Sequence, residues 1–445
     1  MKYHFIGIGG IGMSGLALHL AAEGNEVYGS NFEENERVEY LRRVGMRIYI
    51  GHARENWENP DVVVHTTAVS RGNPELERSI SEGVPLLYRM ELLRKVIASR
   101  NSLSVTGTDG KTTTTAMLSK VMIDAGKDPV VFLGGKSPHL EHGNYRNGEG
   151  PIVAEVDESD GFFASFSSLH AIVTNVRGDH LEHYNNSLKN LQAHFHYFAK
   201  RITGIFIYNA DDEASKRLFG GMGITFGEND GDYRFTKRTC DRTKQSFEVY
   251  HGKHSLGRFT LNLPGIHNVY NATAVIAMAA ELGIPMDIVK NSLATFKSVD
   301  RRFTFRGFSE EKNLYFIDDY AHTPDEIRNT IRGAKESYPD RKIIVVFQPH
   351  RYSRLARENG RFAASLKSAD AVCVYKLYDA YEKGRYAVSE VEVLEGLKNY
   401  GVESYHADDY NDILNWLDSK RDAVVLFLGA GDITEASKLS ALKFG

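Results

Sequence analysis

Residues 102–118 read Ser-Leu-Ser-Val-Thr-Gly-Thr-Asp-Gly-Lys-Thr-Thr-Thr-Thr-Ala-Met-Leu. The apolar, β-branched run 103–106 is a short buried strand, Gly107-Thr108-Asp109-Gly110 is a tight turn, and Lys111 onward is the first turn of a helix. A strand, a glycine turn and a helix start make a phosphate cradle. Backbone N–H groups of the turn and of Lys111, Thr112 and Thr113 face phosphate oxygens, and the helix dipole favours the anion. The Lys111 ammonium reaches the outer phosphates, and the Thr112 hydroxyl can ligate Mg²⁺. A full P-loop pattern would place glycine at 105; Val105 stands there, so this is a shortened variant. The plainer alternative is a Gly-rich turn with a surface lysine, and the strand–turn–helix context speaks against it.

The chain has 445 residues, 42% hydrophobic and 25% charged, with a formal net charge of −4. That length suggests about two to four domains, and the charge gives no reason to expect nucleic acid or an acidic membrane surface. No stretch approaches the roughly 20 apolar residues of a membrane helix. The N-terminal run superficially resembles a short signal, but its glycines and the periodic helix behind them make it a strand entering a fold. Two cysteines, Cys240 and Cys373, have no metal-ligand spacing; both read as buried small apolar residues, and a reducing cytoplasm fits.

Upstream, residues 3–9 form a strand and Gly7-Ile-Gly9-Gly-Ile-Gly12 opens a helix over 13–23, a dinucleotide-type fingerprint. The ribose-binding acid expected after the second strand is replaced by Ser30-Asn31, which lowers NAD and leaves another pyrophosphate ligand open. Thr66-Thr67 end a later strand, where an open α/β sheet binds ligands, or are ordinary strand-end threonines. Downstream, the strand ending Glu155-Val-Asp157-Glu158-Ser-Asp160 is a place for a metal and its surroundings, or a solvated turn. His180 lies just past a strand ending at Asn175 and is a candidate second metal ligand. Residues 134–150 read as a surface loop and 204–263 as alternating short strands. Asn268 and Asn271 share one helical face and suit an adenine edge or a capping role. Polar 297–303 reads as a hinge. Beyond it, strands alternate with helices, one of them spanning 354–367. Polar clusters follow the strands: Asp318-Asp319-Tyr320-Ala-His322, Gln348-Pro-His350-Arg351-Tyr352-Ser-Arg354 and Gly429-Ala-Gly431-Asp432. Arginine suits bidentate carboxylate recognition. A triphosphate cradle, a metal, a diphosphate ligand and a small carboxylate suggest a ligase that activates an acid with ATP.

The motifs Gly7-Ile-Gly9-Gly-Ile-Gly12-Met-Ser, Gly107-Thr-Asp-Gly-Lys111-Thr-Thr, Glu155-Val-Asp-Glu-Ser-Asp160, Thr174-Asn175 through His180, His267-Asn-Val-Tyr-Asn271-Ala and Asp319-Tyr-Ala-His322-Thr-Pro together resemble the Mur ligases of peptidoglycan synthesis, over essentially the whole chain. The block Phe347-Gln-Pro-His350-Arg351-Tyr352-Ser-Arg354 resembles the branch that adds the first amino acid. The resemblance implies three α/β domains: a Rossmann-like UDP-sugar domain at 1–100, a central P-loop ATPase-like mixed sheet at 101–298, and a Rossmann-like domain at 299–445 that binds the amino acid and part of the nucleotide. It implies UDP-N-acetylmuramate and L-alanine as substrates, ATP and Mg²⁺ as cofactors, a cytoplasmic enzyme, and a monomer or weak homodimer. By position, Gly9, Gly12 and Thr67 would touch the UDP-sugar. Gly107, Thr108, Asp109, Gly110, Lys111, Thr112, Thr113, Asn175, Asn271, Arg302 and Asp319 would meet ATP. Thr112, Glu155 and His180 would hold Mg²⁺. Tyr320, His322, His350, Arg351 and Arg354 would surround the amino acid, with Lys111, His180, His350 and Arg351 as catalytic residues.

Three positions depart from the family pattern: Asp109 stands where His is usual, Asn31 where Asp is usual, and His322-Thr323 where paired His is common. Rival readings are a muropeptide-recycling or later amino-acid-adding relative, an NAD-dependent oxidoreductase, and a nucleotide-binding regulator without catalysis.

Overall fold

Three separate β-sheets carry the chain, in a computed structural model that describes every residue except Arg71, Asn359, Ala380, Tyr381, Lys383, Gly384 and Arg385. The first is a parallel sheet in the order Arg47–Ile50, Glu26–Asn31, Lys2–Ile6, Val62–His65, Leu86–Tyr88. The glycine turn leaves Lys2–Ile6 between its two neighbours, where the strand order reverses and open α/β sheets bind ligands.

In the second sheet the cradle strand Ser102–Thr106 lies between His170–Val173 and Ile152–Glu155, parallel to both. The register sets Thr106 beside Val173 and Val105 beside Glu155. Two sequence-distant strand ends are thus delivered to the same edge as the glycine turn. The third sheet runs Thr304–Ser309, Leu314–Asp319, Ala423–Leu428, Lys342–Phe347, Ala371–Tyr375, Glu403–Ala407, antiparallel only in its first pair. Asp319, Leu428 and Phe347 stand level across three strands. The α/β class with a mixed middle sheet is as expected.

The chain forms two compact units. The first comprises Met1–Thr236, Glu248–Arg258 and Tyr270–Phe296; the second comprises Lys237–Phe247, Phe259–Val269 and Lys297–Gly445. Within the first unit, the helix Ile11–Ala22 is apolar on nearly every side because it is covered on nearly every side. One cover is residues 142–145. Asn144 Nδ2 donates to Ile11 O at 2.5 Å and Ser14 Oγ at 3.0 Å, Arg37 Nη1 donates to His142 O at 2.9 Å, and Tyr145 Oη meets His19 Nδ1 at 3.2 Å. The polar stretch expected as a surface loop is therefore a packing seam, with Leu140, Asn144 and Tyr145 buried.

Other elements also differ from expectation. The helix Glu213–Phe219, capped by Asp212 on Ser215 N, interrupts the run of short strands. The edge strand Glu403–Ala407 is mostly exposed and carries little apolar signal. The helix expected over 354–367 is two, Tyr352–Glu358 and Arg361–Leu366, with Gly360 left-handed before the second; Asn359 lies outside the described residues.

Beneath the first sheet, Glu75 is buried and accepts from Ser30 Oγ at 2.5 Å and Asn56 Nδ2 at 2.6 Å, with His4 Nε2 at 3.1 Å. Burial alone would raise its pKa, but the bonds to His4 and His52 outweigh it and hold the carboxyl well below the usual range. A carboxyl depressed in the fold stabilises it above the unfolded pKa, and that contribution is lost as pH falls. Glu75→Ala is expected to cost about 3 kcal/mol at pH 7. The difference from the unmodified chain should shrink towards pH 4 in urea unfolding at the two pH values.

Candidate active site

At the cradle, Gly107 has φ 132° and a Cβ there would meet Thr174 Oγ1 at 2.1 Å; Gly110 has φ 82° and a Cβ would meet Asn271 Oδ1 at 2.6 Å. Any side chain would be strained and would displace a neighbour, so only glycine makes this turn. Asn271 thus sits against the turn, while Asn268 donates to Pro264 O at 2.6 Å, a local capping contact. Asn175 accepts from Asp109 N at 3.0 Å and donates to Asp109 O at 3.0 Å. Thr113 buries its side chain in the first helical turn, leaving its backbone to the helix start.

Lys111 Nζ donates to Gly107 O at 2.8 Å and Thr108 O at 3.0 Å, and lies 2.7 Å from Glu158 Oε2 and 3.8 Å from Asp157 Oδ1. Burial would lower its pKa, but Glu158 and Asp157 overcome this and raise it, so the ammonium stays charged at working pH. Burial in turn pushes Glu158 up to about 7, against the pull of Lys111. Thr112 Oγ1 donates to Glu155 Oε1 at 2.9 Å, and Gly134 N donates to Glu155 Oε2 at 2.7 Å. Burial pushes the Glu155 carboxyl upward, with Lys111 opposing.

Two hard oxygens 2.9 Å apart match the edge of an octahedron with oxygens about 2.1 Å from its centre, as Mg²⁺ demands. By their chemistry and spacing Thr112 and Glu155 fit that ion. Among the described residues, no cluster of three or more His, Cys, Asp or Glu is arranged for a metal. His180, at φ 51°, has carboxylate oxygens of Asp179 at 3.5 Å and Glu182 at 3.7 Å.

In the first sheet, Gly9 N donates to Asn31 Oδ1 at 3.1 Å, and Asn31 Nδ2 donates to Glu33 O at 2.8 Å. The amide both accepts and donates, which an aspartate there could not do. A Cβ on Gly12 would lie 2.9 Å from Arg89 Nη1, which places a guanidinium over the glycine turn. Arg89 Nη2 lies 3.7 Å from Asp160 Oδ2, and Tyr88 Oη also donates to Asp160. Thr67 is exposed. Sequence reading missed Arg89. Its position at the first residue of a helix following a strand was the available signal.

In the second unit, Asp319 accepts from Phe303 N at 2.7 Å and Ala321 N at 2.8 Å, which orders both flanking segments. Burial pushes its carboxyl up to about 6, against Arg302. The guanidinium groups of Arg301 and Arg302 lie 5.0 and 5.1 Å from the centre of the Tyr320 ring. His322 Nδ1 is 2.9 Å from Tyr320 O and 3.1 Å from Glu326 Oε2, and its ring is 6.1 Å from that of His350. His350 stacks on Tyr378 at 5.3 Å and lies 3.5 Å from Arg354 Nη1. Burial first, then His322, Arg354 and Arg351, lower the His350 pKa to about 2. It is therefore a neutral hydrogen-bonding ring in this setting. Arg351 has φ 67°, fixed by N donating to Tyr378 O at 2.9 Å, and its buried Nε has no hydrogen-bond partner among the described residues.

The family model for the Mur ligase catalytic domain matches residues 2–101, that for the Mur ligase middle domain 105–279, and that for the Mur ligase glutamate ligase domain 301–431. The chain belongs to the Mur ligase family. A UDP-N-acetylmuramate–L-alanine ligase from Thermotoga sp. (strain RQ2) is 46% identical over 441 residues, 98% of this chain and 95% of the relative. The ligase of the same name from Aquifex aeolicus (strain VF5) is 36% identical over 441 residues, 98% of this chain and 96% of its own length. The crystal structure of a UDP-N-acetylmuramate–alanine ligase from Thermotoga maritima matches at TM-score 0.89 and 42% identity, covering 100% of this chain and 99% of that one. A murein peptide ligase from Psychrobacter arcticus 273-4 shares the fold at TM-score 0.73 and 23% identity, covering 99% and 98%. Among the described residues no helix is long and apolar enough to cross a membrane.

Proposed function

We propose that this chain joins L-alanine to the lactyl carboxylate of UDP-N-acetylmuramate, splitting ATP to ADP and phosphate, as a step of peptidoglycan precursor synthesis. The observation that carries the reading is the charged Lys111 held at the mouth of the glycine turn beside the Thr112–Glu155 pair. The relatives that share its family and most of its length support the choice of substrates. The residues read as the UDP-sugar set belong to 1–100, those of the ATP set to 101–298 except Arg302 and Asp319, and those of the amino-acid set, with Arg302 and Asp319, to 299–445; the enzyme works in the cytoplasm as a monomer or weak homodimer.

A carboxylate does not react with an amine at neutral pH, because its leaving group would be oxide. The lactyl carboxylate attacks the γ-phosphorus of ATP in line, and Lys111 neutralises charge that builds on the phosphoryl oxygens. The acyl phosphate formed has a good leaving group. L-Alanine, its carboxylate held by Arg351 and Arg354, attacks the acyl carbon through its amine, and phosphate leaves. A base beside the amine takes its proton, a role for which His180 and His350 are the two candidates, His180 only while it is not bound to Mg²⁺. Gly9, Gly12 and Arg89 hold the diphosphate, Asn175 and Asn271 the nucleotide. Thr112, Glu155 and His180 would hold Mg²⁺, which supplies charge neutralisation at the phosphates when bound.

The test is phosphate release with UDP-N-acetylmuramate held constant and amino acids and tripeptides varied. L-Alanine should give the fastest release. A preference for a tripeptide would assign a recycling activity, and no release with any acceptor would end the ligase reading. Thr112→Val is expected to raise the Mg²⁺ concentration for half-maximal release about tenfold, read from a Mg²⁺ titration at saturating substrates.

A further inference from the structure

Asp109 puts a carboxylate into the very turn read above as the ATP cradle. Phosphates and carboxylate would lie well within the ~8 Å over which charges act at physiological ionic strength. The structure pairs that carboxylate: Arg177 Nη1 lies 2.7 Å from Asp109 Oδ2. The two residues are 68 positions apart in sequence.

The turn does not need this pair for its shape. Thr108 N donates to Asn175 O at 3.1 Å, Arg177 N donates to Thr108 Oγ1 at 2.8 Å, and Thr108 Oγ1 donates to Arg177 O at 3.2 Å. Asp109 N donates to Asn175 Oδ1 at 3.0 Å, and Asp109 O accepts from Thr174 Oγ1 at 2.6 Å. These contacts bind the turn to residues 174–177 using backbone groups and the side chains of Thr108, Thr174 and Asn175. An ion pair with side chains 43% and 21% exposed adds little to stability. What it adds is charge: it compensates a negative group beside a triphosphate.

We propose that Arg177 is a positioning residue for nucleotide binding, acting through Asp109 by neutralising its carboxylate and directing it towards the 174–177 segment. The inference rests on the reading of 107–112 as an ATP cradle. It makes the harm of losing Arg177 conditional on the carboxylate being present.

The test is a cycle of R177A, D109N and R177A/D109N. The KM for ATP is read from phosphate release, and affinity from a direct titration with a non-hydrolysable ATP analogue. R177A should weaken both about tenfold, the size of one uncompensated charge a few ångströms away in partly solvated surroundings. R177A/D109N should return to within threefold of D109N. An effect of R177A as large in the D109N background as in the unmodified one would overturn the inference, because Arg177 would then be acting on nucleotide or turn directly. So would an R177A value within threefold of the unmodified chain. R177Q, run through the same cycle, replaces R177A if the latter melts more than a few degrees lower. Absence of phosphate release from the unmodified chain would refute the ligase reading instead, and the titration cycle would still decide the role of Arg177.

Discussion

Lys111→Ala is expected to lower phosphate release by about a thousandfold or more at saturating ATP, sugar nucleotide and alanine. The ammonium is the positive group that the cradle's own carbonyls hold in place, Gly107 O at 2.8 Å and Thr108 O at 3.0 Å. Its neighbours Glu158 and Asp157 keep it charged although it is buried, so its contribution does not titrate away at working pH. Lys111→Arg should recover little, because a planar fork does not replace a compact charge between two carbonyls. Removing the ammonium also leaves Glu158 buried beside Asp157 without its closest cation, a destabilising change. Lys111→Ala combined with Glu158→Gln separates the two effects: it should restore the melting temperature and leave phosphate release as low. Near-normal release from either variant would remove Lys111 from the mechanism.

The cradle was legible in sequence because it is local. Gly107, Gly110, Lys111 and Thr112 lie within six residues of one another, and their spacing carries the geometry. Glu155 and Asn175 were legible for a different reason, since strand ends in a parallel sheet gather at one edge. The register that sets Val105 beside Glu155 and Thr106 beside Val173 realises that expectation. The contacts of Arg177 and Arg89 were not legible, although the place of Arg89 at a helix start after a strand was. Their contacts with Asp109 and over Gly12 depend on which strands neighbour which, and no periodicity records that. The 134–150 stretch misled for the converse reason: its Gly, His and Asn content is that of a loop, but Asn144 and His142 spend their polar groups on the buried helix Ile11–Ala22 and on Arg37. The oddity of Asp109 was visible in sequence, and its resolution at 2.7 Å from Arg177 was not.

In the second unit the largest effect is expected from Arg351→Ala, as a rise of about 10- to 150-fold in the KM for L-alanine, the range of a lost charge-assisted hydrogen bond. An arginine at φ 67° is held in a conformation that favours glycine, and such positions persist where the surroundings dictate them. Here the surroundings are a backbone bond to Tyr378 and the stacking of His350 on the Tyr378 ring. The result is a guanidinium with a buried Nε that has no acceptor among the described residues, next to a histidine whose pKa burial and neighbouring cations push down to about 2. A positive site of that kind calls for an anion, and the carboxylate of the amino acid is the anion the reaction offers. Arg351→Lys should recover only part of the loss, since it keeps the charge without the fork. KM values for ATP and UDP-N-acetylmuramate should stay within threefold. The decisive comparison uses ethylamine, an amine without a carboxylate. The unmodified chain should use it as poorly as Arg351→Ala does, because neither has a carboxylate–guanidinium pair to gain. If Arg351→Ala weakened ethylamine use as much as alanine use, Arg351 would be supporting the fold of the site rather than gripping the substrate.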